Sequence, residues 1–498
     1  MNNVRSRLLK GSVWLSSARG IVNALSMLST VVLARLLTPA DFGLVALATT
    51  LLAIVTSITD LSLSSALVRH AAPTREHFDA AWTLGMLRGL VLGILFAGSG
   101  AVVARLYGDP RLIGVMAVMG LSLVLSGLTN PRIIMLQRDL IFWQDFVLNV
   151  SQKLVGVLVS IAIAWIYHSY WALVLGLVAL QATNVIVSYS VLPFRPRLCF
   201  QHLRELMGFS IWLTAGQIVD TLNWRFDQLI IGKGLSTAAL GHYSVGSTLA
   251  LIPTREATAP LNNMIYPAFS GIRGDRPRLA AAYQRAQTFV TALALPAGVG
   301  AALIADPVIR LAMGDKWAPA IFVVQVLASV FALQTLGSLS QPLYMALGET
   351  RLLFIRNLQM LCIRMPMIAL GMMLGGLQGI VLARVVSGLV SILFAIRLVR
   401  RATGLGWREQ LSANTRTFAA VAAMSLGVAL ASRLFALSSD PVSLSIKIAV
   451  LVVLGAVIYC GTMVGLWRAM RCPPGPEREI AALLANAVAR LRTPKTSI

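Results

Sequence analysis

Seven basic residues, Arg19, Arg88, Lys153, Arg225, Arg255, Arg364 and Arg384, fall inside stretches that are otherwise apolar over membrane-spanning lengths. Ionisable groups at that depth are costly unless they face a bundle interior or a water-filled cavity. The acids at comparable depth are five: Asp60, Asp145, Asp220, Asp227 and Glu256. The surplus of positive charge predicts an anionic cargo. Arginine suits phosphate because its planar guanidinium gives two parallel hydrogen bonds. Arg19, about a third of the way into the first apolar helix, is the foremost candidate; the competing reading is a fixed ion pair with an acid on a neighbouring helix.

Arg255 and Glu256 lie between Pro253 and Pro260. Prolines so placed are expected to break or kink the eighth helix and leave carbonyls free beside the charges, an arrangement that marks transport sites. A local Arg255–Glu256 ion pair is the alternative. On the seventh helix Asp220, Arg225 and Asp227 are expected to neutralise one another in part across successive turns, with Asp227 read as structural. Lys153, Arg364 and Arg384 either line a cavity or snorkel, whereas Arg88 and Arg285 are expected to snorkel. Asp60, with Thr56 and Ser64 four residues to either side, reads as a coupling site or a partner for Arg19. Asp220, Asp227 and Glu256 are further candidates for coupling or charge pairing.

The elements that carry these groups are duplicated. Residues 12–43 recur 198 positions later, so that Ser12, Ser16, Arg19, Asn23, Ser26 and Thr30 align with Ser210, Thr214, Gln217, Thr221, Trp224 and Gln228. Trp14, Arg35, Thr38 and Gly43 align likewise with Trp212, Lys233, Ser236 and Gly241. The alternating spacing of four and three puts each set on one face of a helix. A polar stripe on a lipid-spanning helix must face protein or water. The candidate substrate-binding set is therefore Arg19, Asn23, Lys153, Gln217, Thr221, Arg225, Arg255 and Arg364.

A chain of 498 residues that is 57% hydrophobic and 12% charged has too little polar surface for a water-soluble fold. Apolar runs of about 20 residues, enough to cross about 30 Å of hydrocarbon, lie near 12–36, 42–67, 81–106, 112–136, 144–168 and 170–193. A second six lie near 207–232, 239–269, 284–305, 318–346, 352–374 and 376–398, and two more near 415–435 and 443–467. The expected fold is an all-α polytopic membrane protein of about fourteen spans: two pseudo-symmetric six-helix lobes around a central cavity, plus two C-terminal helices. The lobes are placed at 1–200 and 201–402, the extra helices at 403–470 and a cytoplasmic tail at 471–498. That tail reads either as a surface-lying amphipathic helix over Pro474–Thr493 or as a solvated segment.

The net charge of +23 is distributed unlike that of a nucleic-acid binder. With the N-terminus inside, 27 basic residues fall on inside segments and 8 on outside ones, the bias that sets membrane topology. Both termini are thus expected in the cytoplasm, with the first helix a retained span and not a signal peptide. No GxxxxGK[ST] loop, HExxH motif, Cys/His cluster or DxD pair beside a loop occurs, so neither a nucleotide cassette nor a catalytic or metal centre is expected. No cofactor is expected.

The run VVLARLLTPADFGLVALATTLLAIVTSITDLSLSSALVR resembles the opening of the bacterial polysaccharide transporter, or oligosaccharide flippase, family of the multidrug/oligosaccharidyl-lipid/polysaccharide superfamily. RFDQLIIGKGLSTAALGHYSVGSTLALIP, MIYPAFSGIR, ADPVIRLAMGDKWAPAIFVVQVLA and LYMALGETRLL follow in the same order. The resemblance implies alternating access and a cargo of oligosaccharide joined through pyrophosphate to a polyprenyl lipid. It also implies cationic pyrophosphate contacts on the first and eighth helices, which here carry Arg19 and Arg255. Implied partners are the lipid-linked oligosaccharide, membrane lipids, and polysaccharide polymerase and export machinery, with no nucleic acid. The bacterial inner membrane is the implied location. The alternatives are a drug/cation antiporter of the same fold, which should carry cavity carboxylates and few arginines, a peptidoglycan-precursor flippase, and a membrane sugar polymerase.

Overall fold

The computed structural model describes residues 2–59, 74–138, 142–201, 211–434, 440–472, 475 and 477. Asp60 and almost all of the proposed tail helix lie outside the described residues. The chain forms two compact units, Met1–Ser244 and Val245–Ile498.

The first unit contains α1 (Asn2–Leu36), α2 (Pro39–Thr59), α3 (Arg75–Tyr107), α4 (Arg111–Gly127), the short α5 (Ile133–Arg138), α6 (Phe142–Tyr167), α7 (Trp171–Val191) and α8 (Ile211–Gly234). It also holds the first turns of α9 (Thr237–Ser270). Within it α3 packs on α4, α6 on α7, α1 on α6 and α2 on α8. Small residues set the closest of these crossings, as van der Waals packing between membrane helices favours. A Cβ on Gly89 would fall 2.7 Å from the Leu123 carbonyl oxygen, and one on Gly127 only 2.3 Å from that of Gly85. The Gly89–Gly93 pair thus sits in a helix seam, as its spacing suggests. The segment after α7 is strapped down by backbone bonds to α3: Arg197 N donates to Asp79 Oδ1 at 3.0 Å and Cys199 N to Thr83 Oγ1 at 3.0 Å.

The second unit continues with α10 (Arg276–Leu303), α11 (Ala305–Met313), α12 (Ala318–Ser338), α13 (Ser340–Leu347), α14 (Thr350–Thr403), α15 (Trp407–Ser412), α16 (Thr415–Leu434) and α17 (Pro441–Ala469). Here α10 packs on α12, repeating the α3–α4 pairing of the first copy, and α12 packs on α14. Leu295 and Ala332 share a buried cluster with Val421, Met424, Val428 and Leu451 of the last two long helices. The Tyr459 hydroxyl donates to the Ala292 carbonyl at 2.7 Å. Within the second unit, the last two long helices therefore pack on α10 and α12.

Within the described residues the fourteen apolar runs lie largely on helix, and ten described helical stretches are long and apolar enough to cross a membrane. The difference in number has physical causes. α14 holds two spans joined where Gly375 and Gly376 leave helical geometry. The chain reverses there, since a Cβ on Gly379 would fall 1.9 Å from the Gly371 carbonyl oxygen. α4 is a 17-residue apolar helix, shorter than the other spans, and α8 and α9 carry the polar and charged groups discussed below. α9 runs as one helix from Thr237 to Ser270, so neither Pro253 nor Pro260 breaks it. A proline removes one donor and crowds one carbonyl, which a long helix with packed neighbours tolerates.

Gly376, at φ 55° and ψ −130°, adopts a backbone geometry that a residue with a Cβ reaches only with strain. Gly376→Ala is expected to cost about 1–3 kcal/mol, read as a lower thermal-unfolding midpoint in detergent. An unchanged midpoint would contradict this account of the turn.

Candidate translocation site

The polar stripe of α1 divides into two parts. Ser26 and Thr30 donate their hydroxyls to the Val22 and Ser26 carbonyls of their own helix, at 2.7 and 2.8 Å, and so need no further partner to lie at membrane depth. Arg19 is exposed and Asn23 half-buried. Further along, Leu33, Ala34 and Leu37 are buried. Over its described side chains, α1 is exposed at Arg19 and packed at Leu33, Ala34 and Leu37.

The helix that α1 packs against carries a polar row of its own. Asp145 of α6 is close enough to Arg19 to be attracted by its charge. One turn on, Asn149 donates to the Asp145 carbonyl at 2.8 Å, and Gln152 donates to Asn149 Oδ1 at 3.3 Å. Lys153, half-buried, ends the row. Below the charges, Trp14 meets Trp143 and Phe146 edge-on, with ring centroids 4.8 and 5.2 Å apart. The structure therefore sets Arg19 of α1 near Asp145, at the head of the α6 row of Asn149 and Gln152, with Asn23 one turn beyond Arg19 and Lys153 next to Gln152 along their helices. The sequence signal for the α6 row was there in the spacing 145, 149, 152, but without the echo in a second copy that singles out the stripe of α1.

α8 follows the pattern of its counterpart α1. Gln217 and Asp220 near its start are exposed and Thr221 is half-buried, whereas Asn223, Asp227, Gln228 and Ile231 are buried. The expected mutual neutralisation of Asp220, Arg225 and Asp227 takes a different form. Arg225 Nη1 donates to Gln228 Oε1 at 3.4 Å. Asp227, 2% exposed, accepts from the Tyr243 hydroxyl and, at 2.9 Å, from the Gln228 backbone N–H. Gln228 in turn accepts from Thr50 of α2. These bonds turn the far end of the α8 stripe into helix packing and leave its near end open. Neither Thr50 nor Tyr243 stands out in the sequence, because a single hydroxyl in an apolar helix carries no pattern.

In the second unit Arg255 lies beside Glu256 at 3.9 Å, with side chains 69% and 41% exposed. An exposed pair at that distance is a weak tether, and it leaves the guanidinium accessible. Arg364 and Arg384 are buried, the latter with its guanidinium over the Phe331 ring at 5.9 Å. They sit inside the packing of the unit, whereas Arg255 projects from it.

Arg88 does more than reach an interface. Its Nη2 donates to the Thr56 carbonyl at 3.4 Å, and it lines a cavity of about 330 Å³ in the first unit together with Trp82, Thr129, Asn130 and Asn184. Among the described residues no group of three or more His, Cys, Asp or Glu side chains could hold a metal ion.

Residues 32–322, well over half of the chain, match the model of a family described as polysaccharide biosynthesis protein. The chain belongs to that family. Among curated relatives, the lipopolysaccharide biosynthesis protein WzxC of Escherichia coli (strain K12) is 21% identical over 414 residues, which cover 82% of this chain and 84% of WzxC. The succinoglycan biosynthesis transport protein ExoT of Rhizobium meliloti (strain 1021) is 24% identical over 332 residues, 66% of this chain and 67% of ExoT. Among solved structures, the lipid II flippase MurJ in an inward closed conformation has the same fold, with a TM-score of 0.75 at 13% identity over 92% of this chain and 99% of MurJ. An inward-facing multidrug resistance MATE family transporter gives a TM-score of 0.56 at 14% identity, covering 79% and 99%. This member of the polysaccharide biosynthesis family is thus an all-α, multi-pass membrane protein with the MurJ-type fold.

If Asp145 holds Arg19 in competition with an anion, Asp145→Asn should tighten binding of inorganic pyrophosphate to the detergent-solubilised protein several-fold by calorimetry, and Arg19→Gln should remove that gain. Unchanged affinity in Asp145→Asn would show that the two charges do not share a ligand site.

Proposed function

We propose that this protein is a flippase that carries a polyprenyl-pyrophosphate-linked oligosaccharide from the cytoplasmic to the outer leaflet by alternating access, for exopolysaccharide or lipopolysaccharide synthesis. The observation that carries this reading is the pairing of an accessible cation, Arg19, with an amide-rich row on α6 in a chain of the polysaccharide biosynthesis family. A pyrophosphate cannot cross hydrocarbon without a charged, hydrated path. Guanidinium groups supply its counter-charge, and the amides of Asn23, Asn149, Gln152 and Gln217, with the Thr221 hydroxyl, supply hydrogen bonds suited to sugar hydroxyls. The lipid tail stays in the bilayer. Names of relatives point the same way: WzxC and ExoT are named for lipopolysaccharide biosynthesis and succinoglycan transport, and MurJ is named a lipid II flippase.

In this reading Arg19, Asn23, Lys153, Gln217, Thr221, Arg225, Arg255 and Arg364 form the substrate path, with Arg19 and Arg255 as its main anion contacts. Two lobes at 1–200 and 201–402 enclose it, and 403–470 adds two helices. The protein sits in the bacterial inner membrane with both termini cytoplasmic, and it hands its cargo to polysaccharide polymerase and export machinery. The sequence carries no nucleotide-binding loop, so the membrane potential or an ion gradient drives the cycle; an inside-negative potential acts directly on a cationic site that reorients. A drug/cation antiporter is disfavoured because the membrane-depth charges are predominantly basic.

Flipping of defined polyprenyl-pyrophosphoryl oligosaccharides in proteoliposomes tests this. A charge-assisted hydrogen bond is worth about 1.5–3 kcal/mol, so Arg19→Ala and Arg255→Ala should each slow flipping by roughly tenfold or more. Wild-type rates in both variants would overturn the residue assignment. Transport of cationic dyes in place of glycolipid would overturn the function.

A further inference from the structure

The duplicated turn between the first two helices of each copy meets its own counterpart. A Cβ on Gly43 would fall 1.7 Å from the Thr237 carbonyl oxygen and 2.9 Å from Gly241 N; one on Gly241 would fall 1.8 Å from the Pro39 carbonyl oxygen and 3.1 Å from Gly43 N. In the 198-residue register Gly43 corresponds to Gly241 and Pro39 to Thr237. The contact is therefore reciprocal, each copy offering the other the same two backbone groups, as at a two-fold interface. A local two-fold axis passes between the two glycines. The seam then runs inward along α2 and α8, where Thr50, wholly buried, donates to Gln228 and Asp227 accepts from Tyr243.

Two properties distinguish this seam from the permanent helix crossings of the first unit. It lies at the packed ends of α1 and α8, opposite the ends where Arg19, Gln217 and Asp220 are exposed. Its inner part is also polar. When helices separate, hydroxyl, amide and carboxylate groups exchange protein partners for water at little net cost, whereas the apolar faces that surround the glycines of α3 and α4 gain nothing from water.

We propose that the Gly43–Gly241 crossing, latched by the Thr50–Gln228 hydrogen bond, is the gate at the far end of the translocation path, shut in this structure, and that Thr50 and Gln228 are positioning residues of the transport cycle. The proposal rests on the flippase reading. Opening requires the start of α9 and the end of α8 to leave α2, and the reciprocal geometry lets a rocking motion about one axis release both backbone contacts together. Any side chain at position 43 or 241 wedges the crossing apart.

Leu47, 1% exposed and within reach of Gly232 across the seam, provides a reporter that leaves the latch intact. In full-length protein in nanodiscs, with the four native cysteines replaced, a Leu47→Cys thiol should react with a membrane-impermeant maleimide at least tenfold faster when Gly241→Ala is added. A second arm is independent of that variant's folding: bridging Thr50→Cys to Gln228→Cys with a short bis(methanethiosulfonate), each thiolate displacing a methanesulfinate to form a disulfide, should cut glycolipid flipping at least tenfold below the rate of the unbridged double variant, and reduction should restore that rate. Labelling rates within twofold of one another, or undiminished flipping by the bridged protein, overturn the gate. If labelling responds as expected while wild-type protein moves no glycolipid, the flippase reading falls and the gate stands.

Discussion

A positive charge inside hydrocarbon must be matched by water, by a fixed acid or by its cargo, and the layout of this protein follows from how it meets that constraint. Several charges and hydroxyls are satisfied internally: Arg384 lies over Phe331, Asp227 accepts from Tyr243, and Ser26 and Thr30 bond to their own helix. At the proposed cargo contacts the cations stay accessible. Arg19 is exposed with Asp145 in its neighbourhood, and Arg255, 69% exposed, lies 3.9 Å from Glu256. An anion arriving at such a site gains charge-assisted hydrogen bonds without the cost of breaking a tight buried pair.

Gene duplication solves a second problem, that of building a path with two ends from one kind of helix unit. The first helix of each copy is exposed at Arg19 or at Gln217 and Asp220, and buried further along. The two copies meet at a reciprocal glycine crossing, where the missing side chains let the backbones approach closely. The copies have diverged where function requires asymmetry: Arg19 is answered by Gln217, and the latch residue Gln228 by Thr30. Arg19 thus has no cationic counterpart in the second copy, and Gln228 no amide counterpart in the first.

Much of the fold was legible because membrane spans are set by a simple length and polarity rule. The repeat identified the two equivalent helices and predicted the alignment of Gly43 with Gly241, although not that they touch. What sequence could not provide was the direction in which a polar residue points. Arg364 and Arg255 are both arginines in apolar helices, yet one is buried and the other projects. Gln228 belongs to the same stripe as Gln217 but turns into α2. Pro253 reads as a breaker in isolation and is absorbed by a 34-residue helix. In each case tertiary packing overrides the local signal, because the neighbouring helix decides which donors and acceptors are met.

In the proposed cycle the accessible guanidinium of α1 receives the phosphate of a lipid-linked sugar. A structure of the protein bound to a polyprenyl-pyrophosphoryl oligosaccharide tests it most directly. The account predicts pyrophosphate oxygens within hydrogen-bonding distance of Arg19, with sugar hydroxyls along Asn23, Asn149 and Gln152. A headgroup bound elsewhere, with Arg19 engaged solely by Asp145, would contradict it.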